Sequence, residues 1–500
     1  MKNKIILMLL LLQTFLWVSC SKFLDREPIS TPTDEKFWAN ESHAVSGVAG
    51  AYSLLRFSLN ESMAYYSYGD LPTDEFVNNL PGEDFGDVGR INWGLTFAVT
   101  QWNVSRVMNR LRRFDNFYKT ISQVNRCLKF IPGIPLEKFT SADQQAAKNR
   151  LIGEAYFLRA FNYFYMARIW GDVPLILDVE ENISNSQNFS RSPQTVILDQ
   201  CIKDLEAAIP LLNWGYEVTT ERAVRANRGS AFALLAHLYA WKGDDESYKK
   251  SAVAADSVLI NGGYSFVNRN NYLSIFKGQS SEGIFEIAQN ARNEGSGSIF
   301  ISFRTLKAPY LLTRTGTAEF RLDVPGVKAI FPDSSDLRVK NGFAFFNTTD
   351  PNCIKYSNII YTSTNAVGQP ASPLAQNNII IFRYSDILLL KAEALAATGR
   401  FVQAREILHI IQAQSNASMF NGPDAKLFES IIDERARELF IEGHRFYDLV
   451  RLGRKGILKF GEARMNQADF NQGKYYWPLD PVLLNQNPLL NQTPFWADKL

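Results

Sequence analysis

A helix, a glycine and a second helix follow one another more than once in this chain, and that recurrence restricts the fold before anything else does. From Arg383 the sequence runs Tyr384-Ser385-Asp386-Ile387-Leu388-Leu389-Leu390-Lys391-Ala392-Glu393-Ala394-Leu395-Ala396, reaches Gly399, and resumes as an amphipathic stretch from Phe401 to about Gln414 with Ala404 and Leu408 inward. A glycine at the helix end supplies the left-handed cap that turns the chain back on itself. The same order recurs from Arg228 to Ile260, where Ala236 and Ala240 precede Gly243 at the offsets by which Ala392 and Ala396 precede Gly399. Small residues at those places let two helices approach closely, and a hairpin of this kind cannot bury its apolar face alone.

Looser versions lie at Asn149–Trp170 with a partner near Pro193–Leu212, and at Asp433–Arg451 ending at Gly453; Ser42–Leu59 and Phe114–Phe130 complete the set. The fold class expected is mainly α: a tetratricopeptide-like helical hairpin scaffold over about 30–60, 106–260 and 383–455, folding as one domain over 20–500. The stretches between, 61–105 and 262–380, and the irregular tail 456–500 are rich in Gly, Asn, Ser, Pro and aromatics, with short β-like runs at Gly283–Ala288 and Asn378–Phe382. Insertions this long are where function usually sits, and they are expected on one face as the ligand-binding surface.

The first residues bear on compartment. Met1-Lys2-Asn3-Lys4 precedes an apolar run from Ile5 to Val18. At about fourteen residues it falls short of the roughly 20 that span a bilayer, so 1–19 reads as a signal peptide. Trp17-Val18-Ser19-Cys20 resembles the lipobox of bacterial lipoproteins, which would leave Cys20 as the lipidated first residue. Lys2 and Lys4 account for the formal charge of +2 from 53 Lys and Arg against 51 Asp and Glu. A neutral mature chain with no visible basic block gives no electrostatic reason to expect nucleic acid as a partner.

Cys127, Cys201 and Cys353 remain, without C-x-x-C spacing, and read as small buried hydrophobes, a disulfide between two of them staying open. His43, His237, His409 and His444 show no ligand spacing, so no metal and no cofactor is expected. Glu434, Glu438 and Glu442 stand four apart, as the carboxylates of a hydrolase could. Arg435, Arg437, Arg445 and Arg451 accompany them, which favours structural ion pairs, while Leu439, Gly443, Phe446 and Val450 form a buried stripe. The acidic trio Glu83, Asp84 and Asp87 reads as solvated loop charge.

Leu158-Arg159-Ala160-Phe161-Asn162-Tyr163-Phe164-Tyr165 followed by Trp170-Gly171-Asp172-Val173-Pro174-Leu175 resembles the SusD/RagB family of Bacteroidetes outer-membrane lipoproteins. Further blocks agree in order: Arg228 to Ala236, Arg383 to Ala394, Glu434 to Arg451, and the tail Trp477-Pro478-Leu479 with Asn487-Pro488-Leu489-Leu490-Asn491-Gln492. The resemblance spans essentially the whole mature chain. It implies a non-enzymatic, lipid-anchored, surface-exposed glycan-binding protein that delivers its cargo to a SusC-like TonB-dependent transporter. A RagB-like peptide-binding lid on such a transporter is the alternative.

A pyranose offers an apolar face to an aromatic ring and hydroxyls to polar side chains. The ligand-binding candidates are therefore Tyr65, Tyr66, Tyr68, Asp74, Trp93 and Trp102 in the first insertion and Tyr310 and Arg314 in the second. The aromatic residues of 156–170, recurring at helical spacing, are assigned to the core.

Overall fold

The computed structural model describes residues 37–81, 84–94, 106–179, 188–289 and 300–499. Residues 1–19, expected as a signal peptide, and Cys20, Glu83 and Trp102 lie outside the described residues. Ten long helices form the scaffold: α1 Glu41–Asn60, α2 Asp115–Phe130, α3 Gln144–Trp170, α4 Gln194–Leu211, α5 Arg228–Lys242, α6 Asp245–Asn261, α7 Tyr384–Ala397, α8 Phe401–Gln414, α9 Leu427–Glu438 and α10 Arg445–Arg454. Each packs on its neighbour in sequence from α1 to α10, and α7 also packs on α9, so the stack bridges the long gap between α6 and α7 directly.

The caps are local and legible. Asn40, Asp143 and Asp244 accept the free N–H groups that open α1, α3 and α6, and Asn227 with Ser230 forms a reciprocal capping box on α5. Gly243 and Gly399 take φ of +77° and +78° to close the first helix of their hairpins. Ala236, Ala240 and Ala392 are buried where the helices meet, and Ser251 Oγ reaches across to the Ala236 carbonyl at 2.8 Å. From Gly153 onward helix α3 is buried on nearly every side, with Phe157, Phe161, Tyr165 and Trp170 in the core, as befits a helix surrounded by others.

The two apolar runs expected as strands pair with each other. β1 (Gly283–Ile287) is antiparallel to β4 (Ile379–Arg383) in the register Gly283↔Arg383 and Ile287↔Ile379, and both are wholly buried. β2 (Ile359–Thr364) and β3 (Pro370–Ala375) form a separate ribbon, exposed at its tip.

Two expectations are corrected. The first insertion is not irregular at its start: Ala64–Gly69 is a helix, entered through left-handed Ser62 and Met63. Asp433–Arg451 is not one helix either. It breaks after Glu438, and Ile441 (φ +54°) and Gly443 (φ +78°) turn the chain into α10. The close approach that Gly443 permits is to Tyr65, whose ring would lie 2.3 Å from a Cβ at Gly443. Buried side chains of the first insertion hold this turn. Gly443 N donates to both Asp70 oxygens at 3.0 and 2.8 Å, Ile441 N donates to Glu75 Oε1 at 3.1 Å, and Tyr65 Oη donates to the Glu442 carbonyl at 2.9 Å. Burial pushes the Asp70 and Glu75 carboxyls well above the usual range.

Candidate functional site

The acidic residues that could suggest hydrolysis are structural. Glu438 accepts from Arg269 (2.8 Å), Arg338 (2.9 Å) and Arg383 (2.8 Å), and Glu442 from Arg383 (2.8 Å) and Lys355 (2.7 Å). Glu434 accepts from Arg338 at 2.6 Å and Arg437 at 2.8 Å. Burial alone would raise these carboxyls, yet the guanidinium groups hold Glu438 well below the usual range and Glu434 at about 2. With Glu282 and Asp336, five carboxylates meet five cations in one ion-pair network.

Most of the aromatic candidates in the first insertion also prove structural, which corrects their assignment to a ligand face. Tyr65, Tyr66, Tyr68 and Trp93 are all buried. Tyr68 sits edge-on to Trp170 and Trp477 and donates to the Leu111 carbonyl at 2.7 Å; Tyr66 is edge-on to Tyr356. Trp93 stacks on Trp477 at 4.0 Å, its indole N–H on the Val88 carbonyl. These rings wedge the insertion onto the scaffold and turn no face to solvent. Asp74 pairs with Arg445 at 2.8 and 2.6 Å, and half-buried Tyr310 packs beside Leu306, Leu311 and Ile354. Asp84 is buried rather than solvated, accepting from Arg106 and from Met108 N, whereas Asp87 pairs with Arg90 at the surface. Cys127, Cys201 and Cys353 are free and buried.

What the two insertions do build together is a groove. Val77 N donates to the Arg321 carbonyl at 3.1 Å, Phe76 bridges Leu322, and Asp323 N donates to the Glu75 carbonyl at 3.0 Å, so the two excursions join as a short antiparallel seam. Phe85 meets Phe320 edge-on at 4.9 Å nearby. Beside the seam, Val77, Asn79 and Pro81 face Arg314, Thr317, Ala318, Glu319 and Arg321 across a groove of about 380 Å³. Of the sequence candidates, Arg314 lines it. Asn79 and Arg321 went unnamed, although one signal was available: from Arg304 to Arg321 the chain carries four basic residues and a single acid, Glu319.

A second cleft of about 230 Å³ lies where α3, α4 and α5 meet, lined by Arg150, Glu154, Glu217, Glu221 and Arg225 among others. Its charges satisfy one another: Arg150 reaches Glu154, Glu217 and Glu221 within 3.5 Å, and Arg225 reaches Glu154 at 2.7 Å. The groove at the seam is therefore the better site. Among the described residues no group of three or more His, Cys, Asp or Glu is placed to hold a metal, and no helix is long and apolar enough to cross a membrane.

A stack of α-hairpins with a polar groove between two excursions is a helical scaffold carrying a candidate binding site. Comparison with known proteins makes this specific. Residues 58–240 match a family described as starch-binding and associating with the outer membrane, and residues 345–496 match the SusD family. A SusD-like protein of Formosa agariphila is 28% identical over 98% of both chains, and one of Bacteroides ovatus is 22% identical over 99% of this chain and 98% of its own. Among solved structures, a SusD homologue from Bacteroides thetaiotaomicron superposes with a TM-score of 0.79 at 26% identity, covering 92% of this chain and 99% of the other. A putative sugar-binding protein of Bacteroides vulgatus shares the fold with a TM-score of 0.71 at 21% identity, covering 91% and 98%. The chain belongs to the SusD/RagB family.

Proposed function

We propose that this protein captures glycan at the cell surface, held in the outer membrane by lipid on Cys20, and passes it without chemical change to a SusC-like TonB-dependent transporter. The observation that carries the reading is the groove at the seam, which gathers unengaged polar side chains from both insertions on a scaffold whose acidic residues are locked in ion pairs. Family membership supports the outer-membrane setting and the carbohydrate cargo. Hydroxyl-rich ligands suit such a surface, because each exposed donor or acceptor replaces a water on binding.

Full-length protein, incubated with libraries of oligosaccharides and of peptides, is expected to retain oligosaccharides and return them at unchanged length. Shortened products would replace the reading with an enzymatic one, and retention of peptides alone would make the protein a peptide lid. In fractionated cells the wild-type chain is expected with the outer membrane and the Cys20→Ala variant outside it. Equal membrane association of the two would exclude anchoring at Cys20.

A further inference from the structure

The walls of the groove narrow the chemistry of the cargo, granted the glycan-capture reading on which this step rests. Arg304, Lys307, Arg314 and Arg321 share two carboxylates between them. Glu319 takes both Arg304 and Arg314, the latter at 2.8 Å, while Asp350 takes Lys307 and meets Arg321 only at 3.9 Å. Two other polar sites show no cationic excess: the buried cluster around Glu438 is balanced five against five, and the cleft at Arg150 holds more carboxylates than guanidiniums. The lining itself holds Arg314 and Arg321 against Glu319, and Arg304, Lys307 and Asp350 are linked to these by ion pairs without lining the groove, so bases outnumber acids there.

Two of these cations line the groove with bonding capacity to spare. Arg314 donates through Nη2 to the Phe303 carbonyl and to Glu319, and its Nη1 donates to no described residue. Arg321 is 53% exposed and its guanidinium makes no hydrogen bond among the described residues. Asn79 and Thr317, both exposed, add an amide and a hydroxyl, and none of the described lining residues is aromatic. Ring stacking is therefore not what these walls offer. A guanidinium fork matches the paired oxygens of a carboxylate or sulfate, and unneutralised charge in a cleft attracts anions.

We infer that the groove binds an anionic glycan, one bearing sulfate esters or carboxylates, with Arg314 and Arg321 as donors to the anion and Asn79 and Thr317 serving sugar hydroxyls. The test uses the full chain in detergent, run through native gels containing dextran sulfate, polygalacturonate, unsubstituted dextran or, as an anionic polypeptide, polyglutamate. Retention is expected on one or both anionic polymers and not on dextran, and which of the two retains it tells sulfate from carboxylate. The double variant Arg314→Gln, Arg321→Gln should weaken retention about tenfold or more. Arg400→Gln, at an exposed helix turn that lines no part of the groove, should stay within about twofold, since distant surface charges are screened. Arg321→Gln alone, at a side chain that bonds nothing described, keeps the test valid should the double variant unfold; retention unchanged in it overturns the inference. Equal retention on dextran would sink the anionic class while leaving glycan capture standing. Retention on polyglutamate and on no glycan would sink both, and retention on none of the polymers overturns the inference too.

Discussion

Replacing Glu438 by Gln keeps shape and one acceptor but removes the charge on which three guanidiniums converge. Arg269, Arg338 and Arg383 all reach this carboxylate within 2.9 Å, and all are buried. The balanced set around it becomes five cations against four carboxylates in a site that water does not reach. Breaking a buried pair by removing one partner costs about 3–5 kcal/mol, because the charge left behind stays desolvated. Unfolding entropy of about 2.1 cal/mol/K per residue gives on the order of 1 kcal/mol/K for a chain of this length, so the expected fall in melting temperature is about 3–5 °C. Differential scanning calorimetry at pH 7, with exposed Glu217→Gln as a control, measures it. Glycan retention by the folded fraction should be unaltered. A Glu438→Gln protein that melts within about 1 °C of wild type would refute the argument that these charges are mutually required.

Stability is also expected to respond to mild acid through His444. Burial, with Arg435 and His237 close by, holds its imidazolium down to about 4 from an ordinary value of 6.5, although Asp386 and Asp448 pull the other way. The unfolded chain therefore binds the proton first as pH falls: the contribution is complete above about 6.5 and is lost progressively towards 4, on the order of 3 kcal/mol in all. Urea titrations between pH 7 and 4.5 should show that loss, and His444→Gln should reduce it; an identical slope in the variant would contradict the assignment. Gly443→Ala places a methyl 2.3 Å from the Tyr65 ring at a left-handed position, whereas Gly456→Ala at φ +85° meets nothing within 4 Å. The second should cost about 1–2 kcal/mol and the first clearly more, so equal shifts in melting temperature would mean that the Tyr65 contact is soft.

The hairpins were readable because their cause is local. Caps at Asn227 and Asp143, the turn at Gly399 and the spacing of Ala236 and Ala240 act within a few residues of one another, and helix limits follow. The break after Glu438 was not readable, since nothing in the sequence between Leu439 and His444 demands it; Asp70 and Glu75 fix Ile441 and Gly443 from the far end of the chain. The burial of Tyr65, Tyr66 and Tyr68 is hidden from the sequence for the same reason. Their polar, glycine-containing neighbourhood looks like a surface loop, yet tertiary packing against Tyr356, Trp170 and Trp477 takes it inside. Arg314 stands out in the sequence by residue type alone, while the groove it lines exists only where two distant excursions meet.

The bond from Gly443 to Asp70 spans 373 positions, and those from Ile441 to Glu75 and Arg445 to Asp74 span nearly as many. Long-range closure of this kind comes late and slows folding. While the C-terminal part is still being synthesised, the Tyr65–Tyr68 cluster has Tyr165, Trp170 and Leu111 to pack on but lacks Tyr356, Glu442 and Trp477, and stays partly uncovered. Early helices can form one by one, but the anchors that Asp70, Asp74 and Glu75 make to the turn before α10 and to its first residue close only after residue 445 has arrived. A truncated product lacking α10 is expected to lose the Arg445 ion pair that ties the first excursion, at Asp74, to the far end of the chain.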